Sequence, residues 1–134
     1  MDCLFCKIAK KEIPASIISE DSATVAFLDI HPRAAGHTMV VPKTHRETIL
    51  ECDTQDLVDL FGAVQNATAL LKEKLKPDGF TIGINHGKAS GQVIDHLHVH
   101  VIPRWNTDGG GSIHSVVDHP GEMSVEAVLE KLKM

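Results

Sequence analysis

The run His96-Leu97-His98-Val99-His100-Val101-Ile102 alternates imidazole with aliphatic side chains over seven residues. A β-strand repeats every two residues, so this pattern predicts a strand, over residues 96–103, with all three rings on one face and Leu97, Val99 and Val101 on the face turned to a core. A helix would scatter both sets around its circumference. Such a strand needs partners for its backbone groups and an apolar layer under its aliphatic face. Both are visible in the chain. Residues 17–20, 24–28 and 37–41 are rich in β-branched and apolar side chains, with turn-forming Asp21-Ser22 and Pro32-Arg33-Ala34-Ala35-Gly36 between them. Residues 80–85 make a fifth strand, joined to the histidine strand by a loop over 86–95 that carries Gly87 and Gly91.

The covering layer is a long helix. Asp53 is placed to cap it and Asp56 stands at its third position, after which Leu57, Leu60, Phe61, Val64, Ala67, Leu71 and Leu75 recur at three- and four-residue steps. Lys76-Pro77-Asp78-Gly79 ends it, since proline lacks an amide donor and Gly79 is free to take positive φ. A short helix over residues 3–11 is closed by Pro14, and a last helix over 124–133 is capped by Ser124. With strands first, then one long helix, then a hairpin-like pair, the expected class is α+β, a mainly antiparallel five-stranded sheet with one long helix and short N- and C-terminal helices. One domain spans residues 1–134, with its core in about 3–104. The glycine run Gly109-Gly110-Gly111 reads as a mobile loop ahead of a C-terminal segment, 105–134.

Composition narrows the function. A formal net charge of −5 argues against broad attachment to nucleic acid, whose binding depends on Lys and Arg meeting phosphates. The first eleven residues hold no sustained apolar run, so neither a secretory signal nor a membrane span is read there, and a cytoplasmic protein is expected. Three cysteines are an odd number, which fits reduced thiols or metal ligands better than a disulfide framework.

Nine histidines in 134 residues, three of them in strict alternation, point to a site. Successive rings on one strand face lie about 6.6 Å apart, close enough to act on one ligand. Neutral imidazole is a competent nucleophile because its ordinary pKa is about 6.5. Attack on phosphorus would form a phosphohistidine that water or another acceptor cleaves, and His98, flanked by a ring on each side, is the expected nucleophile. Gly87 and Gly91 would let loop backbone approach a phosphate and aim N–H donors at it. Cys3-Leu4-Phe5-Cys6 has the spacing of two zinc ligands, with His45 as a candidate third, or of two thiols packed under the first helix. Cys52 reads as a packing residue.

His96-Leu97-His98-Val99-His100-Val101-Ile102, the preceding Gly91-Gln92, and the segments Phe27-Leu28-Asp29-Ile30 and Gly36-His37-Thr38 together resemble the histidine triad (HIT) family, over about residues 3–104. The resemblance implies hydrolysis or transfer at the α-phosphate of a nucleotide, with His98 becoming covalently nucleotidylated, His100 contacting the phosphate, and His96 and His37 supporting the triad. It further implies a side-chain amide, Asn85, near phosphate and ribose, together with Gly91 and Gln92 from the loop. Asp29 would hold the ribose hydroxyls, and Leu4, Phe5, Ile8, Phe27 and Ile30 would form the nucleoside pocket. Many members carry Ser or Thr where this chain has Val93, which can offer only its backbone amide to the leaving group. Zinc-bearing relatives imply a structural site of Cys3, Cys6, His45 and His96, with no organic cofactor.

The family also implies a homodimer, for which Val58, Ala63 and Leu70, off the main stripe of the long helix, would face a second subunit. The expected activity is that of a hydrolase or nucleotidyl transferase acting on purine nucleoside phosphoramidates or related compounds, without nucleic-acid or membrane partners. Two other readings stand beside it: a nucleotide-binding interaction module with weak catalysis, and a zinc hydrolase in which His96, His98 and His100 themselves grip an open metal.

Overall fold

The computed structural model describes residues 3–134. Its elements run α1 (Leu4–Ala9), β1 (Ile17–Glu20), β2 (Thr24–Leu28), β3 (Thr38–Pro42), α2 (Thr54–Leu75), β4 (Gly79–Gly83), β5 (Val99–Arg104) and α3 (Val125–Leu132), with single 3-10 turns at Ile49–Glu51, Lys88–Ser90 and Ile113–Ser115. The five strands form one sheet in the order β1-β2-β3-β5-β4. Every neighbouring pair is antiparallel. The α+β expectation holds.

Strands β2 and β3 are buried almost throughout because the sheet is covered on both faces. Ala26, Val40, Leu97, Val99 and Val101 pack under α2 against Leu60, Ala63, Val64, Ala67 and Leu71. The alternate residues of β2 and β3, namely Val25, Phe27, Met39 and Val41, pack on the opposite face with Cys3, Phe5 and Ile8 from the α1 segment. Ala63 thus belongs to the core, whereas the sequence reading turned it toward a second subunit. The helix stripe is rotated slightly from the expected one, so that Phe61 and Leu75 are exposed and Ala63 is covered.

At its start α2 carries a full capping box: Asp53 accepts from the Asp56 amide and Asp56 accepts from the Asp53 amide. Its end differs from expectation. Lys76 takes the left-handed conformation at φ 53°, and Gly79 instead opens β4. Gly36, at φ +85° in the β2–β3 turn, sits so close to Leu75 that an added Cβ would lie 2.5 Å from its Cδ1. That turn is therefore seated on the C-terminal end of α2.

The strand boundaries moved in one place that matters. β5 starts at Val99, three residues later than the alternation predicted, because β3 ends at Pro42, which has no N–H to continue the ladder. Across that point the Leu97 amide donates to the Arg46 carbonyl at 2.6 Å, and the His96 ring bonds the Pro42 carbonyl.

Beyond β5, Asp108 accepts from the Arg104 guanidinium and from the amides of Trp105 and Gly110, while Arg104 also donates to the Gly111 carbonyl. The glycine run is tied into a turn by these bonds. Residues 106–134, α3 included, are exposed throughout.

Candidate functional site

His96 and His98 precede β5, and His100 lies within it, yet the alternation survives: Leu97, Val99 and Val101 enter the core under α2 while the rings share the other face. His98 and His100 meet edge to face at 5.0 Å between centroids, closer than flat strand geometry suggests. Phe5 packs edge to face with both His96 and His98, at 5.9 and 5.1 Å between centroids. The three rings form a row, but each has different partners.

His96 is fully buried. Its Nε2 donates to the Pro42 carbonyl at 2.8 Å, which leaves Nδ1 with a lone pair. That Nδ1 lies 3.3 Å from Cys3 Sγ, 3.5 Å from Cys6 Sγ and 3.2 Å from His45 Nδ1, and His45 Nδ1 is 3.3 Å from Cys6 Sγ. Zinc bonds of about 2.0–2.1 Å to nitrogen and 2.3 Å to sulfur in a tetrahedron place the ligand atoms roughly 3.3–3.8 Å apart, the two sulfurs farthest. The four donors therefore fit a tetrahedral cation, and the Nε2 bond to Pro42 is the orienting contact such a ligand normally has. Burial pushes the His96 pKa down to about 4, which keeps the ring neutral as a ligand must be. α1 supplies both sulfurs, since Cys3 caps it and Cys6 lies one turn on. His45 is held by its neighbour Arg46, whose guanidinium bonds Asp56 in the first turn of α2.

His98 donates Nδ1–H to the carbonyl of His96 at 2.7 Å, so its Nε2 carries the lone pair. In His100 the assignment is reversed. The backbone amide of Arg33 donates to His37 Nδ1 at 3.1 Å, which puts the His37 proton on Nε2. His37 Nε2 then donates to His100 Nδ1 at 2.9 Å, and the His100 proton is left on Nε2. Neighbouring rings thus carry opposite tautomers: one offers a lone pair at Nε2, the next an N–H at the same atom. Burial, reinforced by the rings of His98 and His37, pushes the His100 pKa down to about 4. Burial also lowers His37, opposed by the carboxylate of Asp29 at 3.6 Å.

The remaining expected residues scatter. Phe5, Ile8 and Phe27 are buried in the core under α1, while Leu4 is half-exposed and Ile30 exposed. Asp29 accepts from the His31 amide besides facing His37. Asn85 lies against Gly91, whose φ of +104° closes the 3-10 turn of the loop. Gln92 is buried as the brace of that loop: its oxygen accepts from the Gly87 amide, and its nitrogen donates to the carbonyls of Glu47 and Ile94. Both of its side-chain donors are engaged, and its backbone amide donates to the Gly87 carbonyl. Val93 is exposed at the rim. An open hollow of about 450 Å³ lies between Cys3, Leu4, His45, Glu47, Val93, Ile94 and Asp95. Val58 is exposed on α2 and Leu70 partly so.

Among the described residues two groups could hold a metal ion, the Cys3, Cys6, His45, His96 set and a second of Asp29, His37 and His100. In the second, the His37–His100 bond already occupies the nitrogens. His98 joins neither, so an open metal gripped by the three alternating histidines is set aside: His96 is turned away to the sulfurs. The backbone partners Arg33, Pro42 and the His96 carbonyl had no signal in the sequence, because any residue could supply them.

The sequence profile of the HIT domain matches residues 10–107, and the chain belongs to the HIT family. Among its relatives, an uncharacterised HIT-like protein of Methanocaldococcus jannaschii is 46% identical over 107 residues, covering 80% of this chain and 82% of the relative. An adenosine 5'-monophosphoramidase of Schizosaccharomyces pombe is 34% identical over 110 residues, covering 82% of this chain and 80% of the relative. In three dimensions the chain is similar to a HIT family protein from Bacillus subtilis, with TM-score 0.85, 33% identity, and 98% and 92% of the two chains covered. A zinc-bound histidine triad protein from Mycobacterium smegmatis matches with TM-score 0.77, 38% identity, and 81% and 79% covered.

Proposed function

We propose that this protein is a nucleotide hydrolase or nucleotidyl transferase that acts at the α-phosphate of purine nucleoside phosphoramidates, with His98 Nε2 as nucleophile. One observation carries the reading: the Nδ1–H of His98 is committed to the His96 carbonyl, which leaves Nε2 with its lone pair for attack. Relatives named as adenosine 5'-monophosphoramidases support the substrate class.

His98 Nε2 forms a bond to phosphorus as the bond from phosphorus to the leaving amine breaks; the amine takes its proton from solvent. The nucleotidylated ring is an imidazolium, and its Nδ1–H stays on the His96 carbonyl, which stabilises the new positive charge. His100, neutral with Nε2–H exposed to the site, donates to a phosphoryl oxygen, a preformed contact of the kind that stabilises charge in the transition state. Water then attacks phosphorus, the bond to Nε2 breaks, and protons return to solvent. In the same reading Asp29 holds the ribose, Asn85, Gly91, Gln92 and the Val93 amide line the phosphate, and Leu4, Phe5, Ile8, Phe27 and Ile30 contact the nucleoside. Cys3, Cys6, His45 and His96 would hold a zinc ion with protein groups alone, so that it would supply structure rather than an activated water. The protein works as a cytoplasmic homodimer.

Rapid quench with labelled adenosine phosphoramidate tests this. Label is expected on His98, and His98→Ala should lower turnover by at least about 10⁴-fold with the circular dichroism unchanged. A folded His98→Ala protein that turns over at the parent rate refutes it, and unchanged affinity with no turnover in the parent identifies a binding module.

A further inference from the structure

His96 joins the four-donor centre to the candidate nucleophile through a single residue. Its ring is held at both nitrogens, by Pro42 on one side and by the sulfurs and His45 on the other, and its carbonyl accepts the proton that defines the His98 tautomer. The second support of the His98 ring is Phe5, which stands in sequence between the two cysteines. α1 has only six residues, too few to persist without tertiary anchors, and its anchors are the burial of Phe5 and Ile8 and the two sulfurs. Of the contacts on the His98 ring, two, the His96 carbonyl and Phe5, therefore come from backbone that the centre ties down, and the third is the ring of His100.

The donors lie within 4.8 Å of one another. With no cation between them, only thiol and imidazole protons hold these donors at 3.2–3.5 Å, contacts weaker than metal bonds, so the donors are free to separate. Separation must move α1 or residue 96, and either movement reaches His98.

We infer that His96 and Phe5 are positioning residues for His98, and that occupancy of the Cys3, Cys6, His45, His96 centre by a divalent cation sets the tautomer and orientation of the nucleophile. The inference rests on the reading of His98 as nucleophile. The His37–His100 pair is fixed independently, through the Arg33 amide, and should not respond.

Long-range proton–nitrogen correlation NMR on the full chain, labelled with ¹⁵N-histidine, tests it with one equivalent of zinc and again after chelation and gel filtration. The zinc-loaded protein should show His98 protonated at Nδ1 alone. The metal-free protein should show averaged signals from both tautomers at His98, an unchanged His100, and a kcat lower by about 10–100-fold with KM within about twofold. If chelation unfolds the chain, His45→Ala at saturating zinc takes its place, with the same expected change at His98. Identical His98 signals in either comparison overturn the inference, as does failure of the chain to bind zinc or a changed signal at constant kcat. The two readings fail separately: parent-level turnover in His98→Ala refutes the nucleophile and leaves the NMR comparison intact, whereas an unresponsive His98 ring refutes the coupling alone.

Discussion

His100 is partly buried between His98 and His37, and its pKa near 4 has a consequence for stability. An unfolded chain protonates such a ring near its ordinary value of about 6.5, so the folded state binds fewer protons between that pH and 4. The contribution of neutral His100 is present in full above about pH 6.5 and is lost as the pH falls toward 4. Urea unfolding at pH 7 and at pH 4.5 should show a drop for the parent that is smaller in His100→Asn; parallel drops in the two proteins would contradict this account. At this scale the sequence was legible where chemistry resides in side chains. The alternating imidazoles, the cysteine pair and His45 are all identifiable, and the donor atoms of Cys3, Cys6, His45 and His96 converge. The tautomers were not legible, because they are dictated by the Arg33 amide and the carbonyls of His96 and Pro42. Gln92 is expected near the phosphate only through the family resemblance, and its bond to the carbonyl of Glu47, 45 residues away, has no signal in the sequence.

Helix α2 was the most readable element, since its cap, its apolar spacing and its Lys76-Pro77 stop all act locally. Asp53→Ala removes the acceptor for the Asp56 amide and should cost about 1 kcal/mol, a fall in Tm of about 3–5 °C by thermal denaturation. A fall below 1 °C would mean that Arg46, already bonded to Asp56, holds the helix start without the cap. The boundary of β5 was less readable for a physical reason. Alternation reports which way side chains point, and it persists in an extended segment that has lost its ladder partner, as His96 to His98 do beyond Pro42. The stripe of α2 shifted for a similar cause: a small residue such as Ala63 can be covered by a sheet that cannot also cover Phe61.

For the molecule as a whole, the C-terminal arm contributes little to the fold. Its apolar side chains Val125, Leu129 and Leu132 are exposed, and the Arg104–Asp108 turn closes the body before the arm begins. A chain ending at Gly111 should therefore unfold within about 2 °C of the full-length protein by differential scanning fluorimetry; a larger loss would show that the arm covers the body in solution. The division of the sheet into two cores, one under α2 and one under α1, also bears on how strand pairing is chosen. Because the aliphatic residues recur every second position, sliding β5 by two residues along β3 would return an oily side chain to each oily slot, and packing alone would scarcely register the mistake. What such a slide would break is the set of imidazole contacts, which have no repeat: the ring that belongs at Pro42 would face Val40, and the ring that belongs at His37 would be carried past it. The polar row thus serves as the ruler against which the greasy faces are aligned, and the same atoms that equip the protein for chemistry also tell its sheet where to stop sliding.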